Sequence, residues 1–199
     1  MMKVLPITPS ASFTRLARRP FIGQNASGLS VGRVCSVKTV ERTSVVELRD
    51  AVVLLGSFPA LAEANLTVQR GEILLVKGAN GAGKTTLLRL CAGLLPVARG
   101  SASVMGFDVA SERDAVRSRV GFLGHANGLY LDLSAGENLR FWGDVVGAKR
   151  NEVEDAAQRM GLNSRLLGTP VARMSAGQKR RTALAVMAIR RASLWLLDE

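Results

Sequence analysis

Apolar positions along the chain follow a period of two at first, then a helical period, and finally form one continuous run. Residues 44–55 (SVVELRDAVVLL) alternate and then become apolar, which indicates a strand or hairpin. Residues 64–78 (ANLTVQRGEILLVKG) predict two strands around a turn, and the second strand is apolar enough to be buried on both faces. Short strands are also expected within residues 101–107 and 119–125. The first half of the folded region is therefore predicted to be mainly β.

Helical spacing begins at residues 84–95 (KTTLLRLCAGLL), where Pro96 and Gly100 are expected to end the helix. Residues 134–192 carry mainly helical patterns, and the continuous apolar run SLWLLD then predicts one more strand. This order of elements predicts an α/β domain with a helical subdomain inserted before the last strand.

Residues 1–44 differ in amino-acid composition from residues 45–199. The first forty residues contain no Asp or Glu, and Arg15, Arg18 and Arg19 lie close together among scattered Ser and Thr. This composition is typical of an organellar transit peptide, and the lack of an apolar core argues against a secretory signal. An unstructured extension or a misassigned start codon remain alternatives. We predict a leader without regular structure in residues 1–44 and a folded domain in residues 45–199.

Charge and composition exclude several functional classes. The net charge is +11, but seven Lys and Arg against one Glu in the leader account for +6. Aromatic residues make up 5% of the chain and no basic stripe is interleaved with them, so no nucleic-acid partner is predicted. Two cysteines without metal-ligand spacing predict neither a metal site nor a disulfide framework. The longest helical apolar run, Ala183–Ile189, is far shorter than the ~18 residues of a membrane span.

A glycine-rich segment, GANGAGKTT, matches the P-loop pattern between a buried strand and a helix. Glycines allow successive backbone N–H groups to point at phosphate oxygens. Lys84 would supply a full charge to the β- and γ-phosphates, and the Thr85 hydroxyl would bind Mg²⁺. The predicted nucleotide contacts are Gly78, Ala79, Asn80, Gly81, Ala82, Gly83, Lys84, Thr85 and Thr86. Kinases, GTPases and several ATPase classes all remain compatible with this motif.

Two later motifs narrow these classes. MSAGQ begins at Met174, roughly ninety residues after the P-loop lysine, and LWLLDE follows it. The pair resembles the signature, usually LSGGQ, and the Walker B motif of ABC-type ATPases. Ser175 is expected to cap a helix that begins at Ala176, and Gly177 permits close backbone approach. The resemblance implies that Ser175, Gly177 and Gln178 close over the γ-phosphate on the P-loop of a second copy.

The same resemblance implies a separate role for each of the two acids at the end of the sequence. It implies that Asp198 holds Mg²⁺, usually through water, and that Glu199 is the general base for the attacking water. Two solvated acids at a strand end are the alternative. The family has further strands and a switch histidine beyond this point. We therefore expect an incomplete domain with part of its core exposed, and little or no ATP hydrolysis by the 199-residue chain.

Two positions depart from the family pattern. His125 stands where a Gln usually follows the strand, so contact with Mg²⁺, with the attacking water or with a membrane partner stays open beside an ordinary loop role. The aromatic residue that stacks on adenine would align with Leu55. Phe58 is a substitute candidate, although it is equally compatible with a core position.

The segments FLGHANGLYLDLSAGENLRFW, SAGQKRR and LWLLDE together resemble the ATP-binding subunits of the haem-exporter, or cytochrome c biogenesis, branch. The resemblance implies a P-loop NTPase fold: a RecA-like core sheet, an antiparallel β subdomain and an inserted α-helical signature subdomain, incomplete at the C-terminus. It also implies the cofactors ATP and Mg²⁺, a second nucleotide-binding subunit and an integral membrane transporter subunit. The expected location is the cytoplasmic face of the cell membrane, or an organelle if the leader is a transit peptide.

Other functions remain compatible with these motifs. The chain could serve an ABC transporter for another cargo, or bind nucleotide as a regulatory module without turnover. A soluble ABC protein acting on ribosomes or DNA is disfavoured, because no long heptad run lies between Lys84 and Ser175.

Overall fold

The computed structural model describes residues 2–6, 30–35 and 43–198, which form two compact units. Of these residues, those up to Gly124 and from Ser193 onward form one unit, and His125–Ala192 form the other. In chain order the strands are β1 (Met2–Pro6), β2 (Ser30–Cys35), β3 (Ser44–Leu55), β4 (Phe58–Gln69), β5 (Ile73–Lys77), β6 (Arg99–Val104), β7 (Phe107–Asp108), β8 (Val120–Leu123) and β9 (Leu194–Leu197). The helices are α1 (Lys84–Cys91), α2 (Arg113–Arg119), α3 (Ala135–Val145), α4 (Arg150–Arg159), α5 (Ser164–Leu167) and α6 (Ala176–Ile189), with a 3₁₀ turn at Val171–Arg173.

The first unit, which we call the sheet unit, contains two sheets. The four-stranded sheet has the order β4-β3-β6-β7 and is antiparallel throughout. The five-stranded sheet has the order β2-β5-β1-β9-β8, with β8 and β9 parallel. Because β1 runs antiparallel to both β5 and β9, the strands β5, β8 and β9 point in one direction. Their carboxyl ends therefore meet at one edge of the sheet.

The structure differs from the sequence-based expectation at β1 and β2, which belong to the segment predicted to lack regular structure. Both runs, MKVLP and SVGRVC, pair with β5, and β1 also pairs with β9. A strand edge presents unpaired N–H and C=O groups that a short β-compatible run can satisfy. The rest of residues 1–42 lies outside the described residues.

The core around β9 is also more complete than expected. The strand has a neighbour on each side, β1 and β8, and the side chains of Leu194 and Leu196 are 0% and 1% exposed. The expectation of an exposed core at this strand is therefore wrong. Burying each leucine contributes about 1.5–3 kcal/mol.

Helix α1 packs its leucines into the same core but is shorter than predicted. It ends at Cys91 because Gly93 adopts a left-handed φ of +68° and closes the last turn, with the Gly93 N–H donating to the carbonyl of Leu90. Cys91 packs as a small apolar residue, as expected, and burial raises the pKa of its thiol to about 12. This thiol stays protonated and unreactive at neutral pH.

The second unit, the helical unit, is built from α3, α4, α5, the 3₁₀ turn and α6, in the region where helical patterns dominate. Buried side chains from α3, α4 and α6, including Leu139, Ala157 and Ile189, form its main core. Among the described residues, no helix is both long enough and apolar enough to span a bilayer.

Candidate nucleotide-binding site

The loop from Gly78 to Gly83 joins the end of β5 to the start of α1. Gly81 and Gly83 have φ values of +82° and +86°, in the left-handed region that favours glycine. A Cβ added to Gly83 would lie 2.7 Å from the backbone oxygen of Ala60 in β4. The loop path therefore requires glycine at position 83 for two independent reasons, backbone conformation and space.

The N-terminus of α1 has no side-chain cap. Gly83 occupies the N-cap position, no side chain accepts a hydrogen bond there, and the first turn contains no acid. The N–H groups of a first helical turn have no partners within the helix and carry a partial positive charge. The preceding residues Gly78 to Gly81 are exposed, so this end of the helix is suited to an anion.

Lys84, the first residue of α1, folds back over the loop. Its ammonium group donates hydrogen bonds to the backbone oxygens of Gly78 at 3.1 Å and Ala79 at 2.9 Å. These two carbonyls hold a full positive charge above the glycine-rich loop. Thr85 and Thr86 follow in the first turn and are partly buried. The loop thus combines backbone donors, a helix N-terminus and a cation.

Asp198 lies at the same edge of the sheet as the loop, because it follows β9 and the loop follows β5. One strand, β1, separates the two, which corresponds to about 10 Å across the sheet. Asp198 is 8% exposed, and its backbone N–H donates to the carbonyl of Leu123 at 2.8 Å. The structure therefore brings together the predicted loop and one of the two predicted acids, and Glu199 lies outside the described residues.

The tip of the β3–β4 hairpin carries the two candidates for contact with a base. Leu55 pairs with Phe58 at the turn, and their side chains are 48% and 71% exposed. The core alternative for Phe58 is therefore wrong. Ala60, two residues along β4, contacts the loop at Gly83, so the strand that carries Phe58 runs against the P-loop.

The predicted signature residues lie in the helical unit, at the start of α6. Ser175 is the N-cap, as expected: its hydroxyl oxygen accepts from the Gln178 N–H at 3.3 Å, and the Gln178 side chain accepts from the Ser175 N–H at 2.8 Å. This reciprocal capping box shapes the first turn. Ser175 and Gly177 are exposed, and a Cβ on Gly177 would meet nothing within 4 Å.

Two further residues complete the description of the helical unit. His125 is exposed in the loop that follows β8. Sequence reasoning missed Asn138, which is fully buried in α3 and binds the backbone of Tyr130. The available signal was a polar residue on the apolar side of a helix, directly after a capping-box glutamate.

Comparison of the chain with known proteins identifies its family. The sequence profile described as ABC transporter matches residues 61–199. The cytochrome c biogenesis ATP-binding export protein CcmA 2 of Cupriavidus metallidurans is 38% identical over 158 residues, covering 78% of this chain and 74% of that protein. The cytochrome c biogenesis ATP-binding export protein CcmA of Methylococcus capsulatus is 42% identical over 137 residues, covering 68% of this chain and 66% of that protein.

Solved structures agree at the level of the fold. A dimeric, post-hydrolysis ATP-binding cassette bound to ADP and Pi matches with a TM-score of 0.58 at 20% identity, covering 73% of this chain and 69% of that one. The ATP-binding subunit of an ABC transporter matches with a TM-score of 0.60 at 22% identity, covering 77% of each. The predicted P-loop α/β fold is thereby confirmed. From the profile match and the identity to its relatives, the chain belongs to the ABC transporter family, as one of its ATP-binding members.

Proposed function

We propose that this chain is the ATP-hydrolysing subunit of an ABC exporter that serves cytochrome c biogenesis, with haem export as its role. The proposal of ATP binding is supported mainly by the loop from Gly78 to Gly83, which leads into an uncapped helix N-terminus and lies against the ammonium group of Lys84. The printed names of the relatives support the branch.

The P-loop binds the phosphates of ATP in this proposal. When nucleotide enters, Lys84 exchanges its two backbone oxygens for phosphate oxygens, which carry more negative charge. The N–H groups of the loop and of the first turn of α1 contact the remaining oxygens. Phe58, exposed on the strand that contacts the loop, stacks on the adenine ring in place of an aromatic at position 55.

Oxygen donors suited to Mg²⁺ are also present. The Thr85 hydroxyl and the Asp198 carboxylate are hard oxygen ligands, and Mg²⁺ in phosphate sites typically takes one or two protein ligands besides water and phosphate. The ion would neutralise charge on the transferred phosphoryl group. Glu199 accepts a proton from the attacking water, and His125 assists at the loop after β8, either at the water or at a membrane partner.

A second copy supplies the signature in this proposal. Glycine in a helix costs about 1 kcal/mol of stability relative to alanine. Where no neighbouring atom would clash with a side chain, we attribute the glycine to the close approach of another molecule. Gly177 is such a residue. We infer that phosphate bound to another copy approaches Ser175, Gly177 and Gln178 at this helix N-terminus.

Export also requires a path across the membrane, which we propose an integral membrane subunit provides, with this chain bound at the cytoplasmic face. The helical unit offers an apolar surface for such a contact. Tyr130, Leu131, Phe141 and Val145 are 48%, 55%, 40% and 60% exposed, and the rings of Tyr130 and Phe141 contact edge to face. Exposed apolar groups of this kind mark interaction sites.

The direct test combines nucleotide binding with turnover. Lys84→Ala is expected to weaken MgATP binding by about tenfold or more, because it removes the only full charge on the loop. Glu199→Gln is expected to bind MgATP normally while turnover by the chain with its membrane subunit falls by about 10²-fold or more. Lys77→Ala, which alters an exposed lysine at the end of β5, is the matched control and should change neither quantity. Unchanged turnover in the Glu199 variant would remove the general-base assignment.

The branch is tested in cells. Deleting the gene should abolish covalently haem-bound c-type cytochromes and leave b-type cytochromes unchanged. The wild-type chain should restore the c-type cytochromes, and the Lys84→Ala variant should not. If c-type cytochromes persist while another export activity is lost, the cargo proposal is wrong and the ATPase proposal stands.

A further inference from the structure

Two segments of the helical unit run side by side and are joined by backbone hydrogen bonds. The N–H groups of Val171 and Ala172 donate to the carbonyls of Leu133 and Leu131, both at 2.9 Å, and the Ala135 N–H donates to the Thr169 carbonyl at 3.1 Å. An isolated antiparallel bridge also pairs Ser134 with Pro170. We call residues 131–135 and 169–172 the brace. Its first segment follows the loop that starts at His125, and its second precedes the signature.

The side chain of Asn138 stabilises the conformation of the first segment of the brace through hydrogen bonds. Its side chain is 0% exposed and accepts from the Tyr130 N–H at 2.9 Å. It also donates to the carbonyls of Tyr130 and Ser134, both at 3.0 Å. Only an amide can supply this set, because a carboxylate has no donor and an apolar side chain has neither group. Losing it would leave buried backbone groups without partners.

The second segment of the brace leads directly into the signature. Met174 is 5% exposed and packs with Ala135 and Val171, one residue from each segment. Its N–H donates to the Val171 carbonyl. Ser175 follows immediately, so its position is determined on one side by the brace and on the other by α6.

We propose that Asn138 is a positioning residue for the signature: acting through the brace, it sets where Ser175 and the first turn of α6 lie. This inference rests on the proposed role of Ser175 in binding phosphate. It also connects Ser175 physically to two exposed residues, Leu131 at the start of the brace and Tyr130 immediately before it. A partner that binds them would therefore bias the position of the signature.

The wild-type chain provides a first test by amide hydrogen exchange. The brace donors Ala135, Val171 and Ala172 should be protected to within about tenfold of Gln178 and Lys179, whose N–H groups bond to Ser175. Protection at Gln178 and Lys179 combined with loop-like exchange at Val171 and Ala172 would overturn the proposal. This measurement requires neither a variant nor ATPase activity.

The second test uses Asn138→Asp, which retains the acceptor and loses the two donated bonds. Exchange at Val171, Ala172, Gln178 and Lys179 should rise by about tenfold. The control is Ala156→Gly in α4, which destabilises the same unit without touching the brace. It should raise exchange in α4 and leave Gln178 unchanged. Faster exchange confined to residues 130–135 would show that Asn138 stabilises its loop without positioning Ser175.

Turnover separates this proposal from the proposed function. Asn138→Asp should lower kcat and leave the affinity for MgATP unchanged, since the P-loop lies in the other unit. The control variant should keep a wild-type kcat at a temperature where both variants are folded. If the wild-type chain together with its membrane subunit shows no turnover while the exchange results hold, the ATPase proposal fails and the positioning role of Asn138 stands.

Discussion

At the scale of the residue, two glycines of the candidate site, Gly83 and Gly177, differ in what surrounds them. Gly83 has a φ of +86° and contacts the Ala60 backbone, so both conformation and space exclude a side chain. Gly177 has neither constraint among the described residues. Gly83 is therefore constrained by the chain's own strand, whereas the group that approaches Gly177 is, in our proposal, the phosphate bound to another copy.

Gly83→Ala is expected to weaken MgATP binding by at least about tenfold, since the loop must move away from β4. Gly71→Ala is the matched control, because Gly71 also has a positive φ, +81°, but its Cβ would meet nothing within 4 Å. Equilibrium binding of a fluorescent ATP analogue measures both. Equal losses in the two variants would show that backbone strain alone is responsible.

Phe58→Ala should weaken ATP binding by about fivefold or more and reduce discrimination between ATP and other nucleoside triphosphates, because base–aromatic stacking contributes about 1–3 kcal/mol. Leu54→Ala alters a neighbouring exposed apolar residue of the same hairpin and should change little. Competition binding with GTP and CTP provides the measurement. Similar affinities for the wild type and the Phe58 variant would contradict the stacking role.

At the scale of the element, the same type of capping sequence starts two helices. Ser134 and Ser175 both begin S-x-x-E/Q capping boxes, at α3 and α6. At α3 an acid completes the box, and Glu137 adds favourable charge to the helix N-terminus. At α6 the neutral Gln178 completes it, so no negative charge competes with phosphate at that end. In our proposal, the choice of Glu or Gln thus separates a helix start that is purely structural from one that binds phosphate.

The capping box of α3 predicts a pH dependence of stability. Hydrogen bonds from the Ser134 hydroxyl and then from its backbone N–H lower the pKa of Glu137. A lowered folded-state pKa stabilises the protein above the unfolded value of about 4.3, and this contribution is lost as the pH falls through the folded value. Glu137→Gln should therefore lower the Tm at neutral pH, with a difference that shrinks below about pH 4.

The control for this experiment is Glu154→Gln, which alters an exposed acid of α4 that pairs with Arg150 on the surface. Surface pairs of this kind contribute little. Thermal unfolding of the three proteins across pH 3–7 measures the effect. A Tm difference for Glu137→Gln that does not change with pH would contradict the assigned cause.

At the scale of the whole molecule, the proposed phosphate contacts are divided between two compact units. The P-loop and Asp198 belong to the sheet unit, and Ser175 and Gly177 belong to the helical unit. A site that needs both sets is completed, in our proposal, when two copies meet. Turnover would then depend on association, which places ATP hydrolysis under the control of anything that brings two copies together.

Glu199→Gln is expected to form a dimer in MgATP and to remain a monomer without nucleotide, because ATP that is bound and not hydrolysed holds the two copies together. Adding Gly177→Leu should abolish the dimer while nucleotide binding persists, since a Cβ at this position meets nothing within 4 Å in the described part of the chain. Sedimentation velocity with and without MgATP distinguishes the species. A double variant that still dimerises would show that the signature is not at the interface.

Local sequence alone determined much of this protein. The P-loop, the capped start of α6 and the apolar strand before Asp198 follow from patterns within ten residues, and the structure contains each of them. Local patterns succeed here because glycine conformation, helix capping and strand burial depend on near neighbours along the chain. The helical character of residues 134–192 is confirmed for the same reason.

Only the tertiary structure shows which strands pair, which side chains are exposed and which distant segments are in contact. Lys3 of β1 pairs with Leu75 of β5 and with Leu197 of β9, and such distant partners cannot be predicted from the periodicity of a five-residue run. The exposure of Phe58, the contact of Ala60 with Gly83 and the brace locked by Asn138 likewise arise only when separate segments pack together. A local pattern specifies the conformation of its own backbone, whereas burial and contact depend on which surfaces the rest of the chain brings against it.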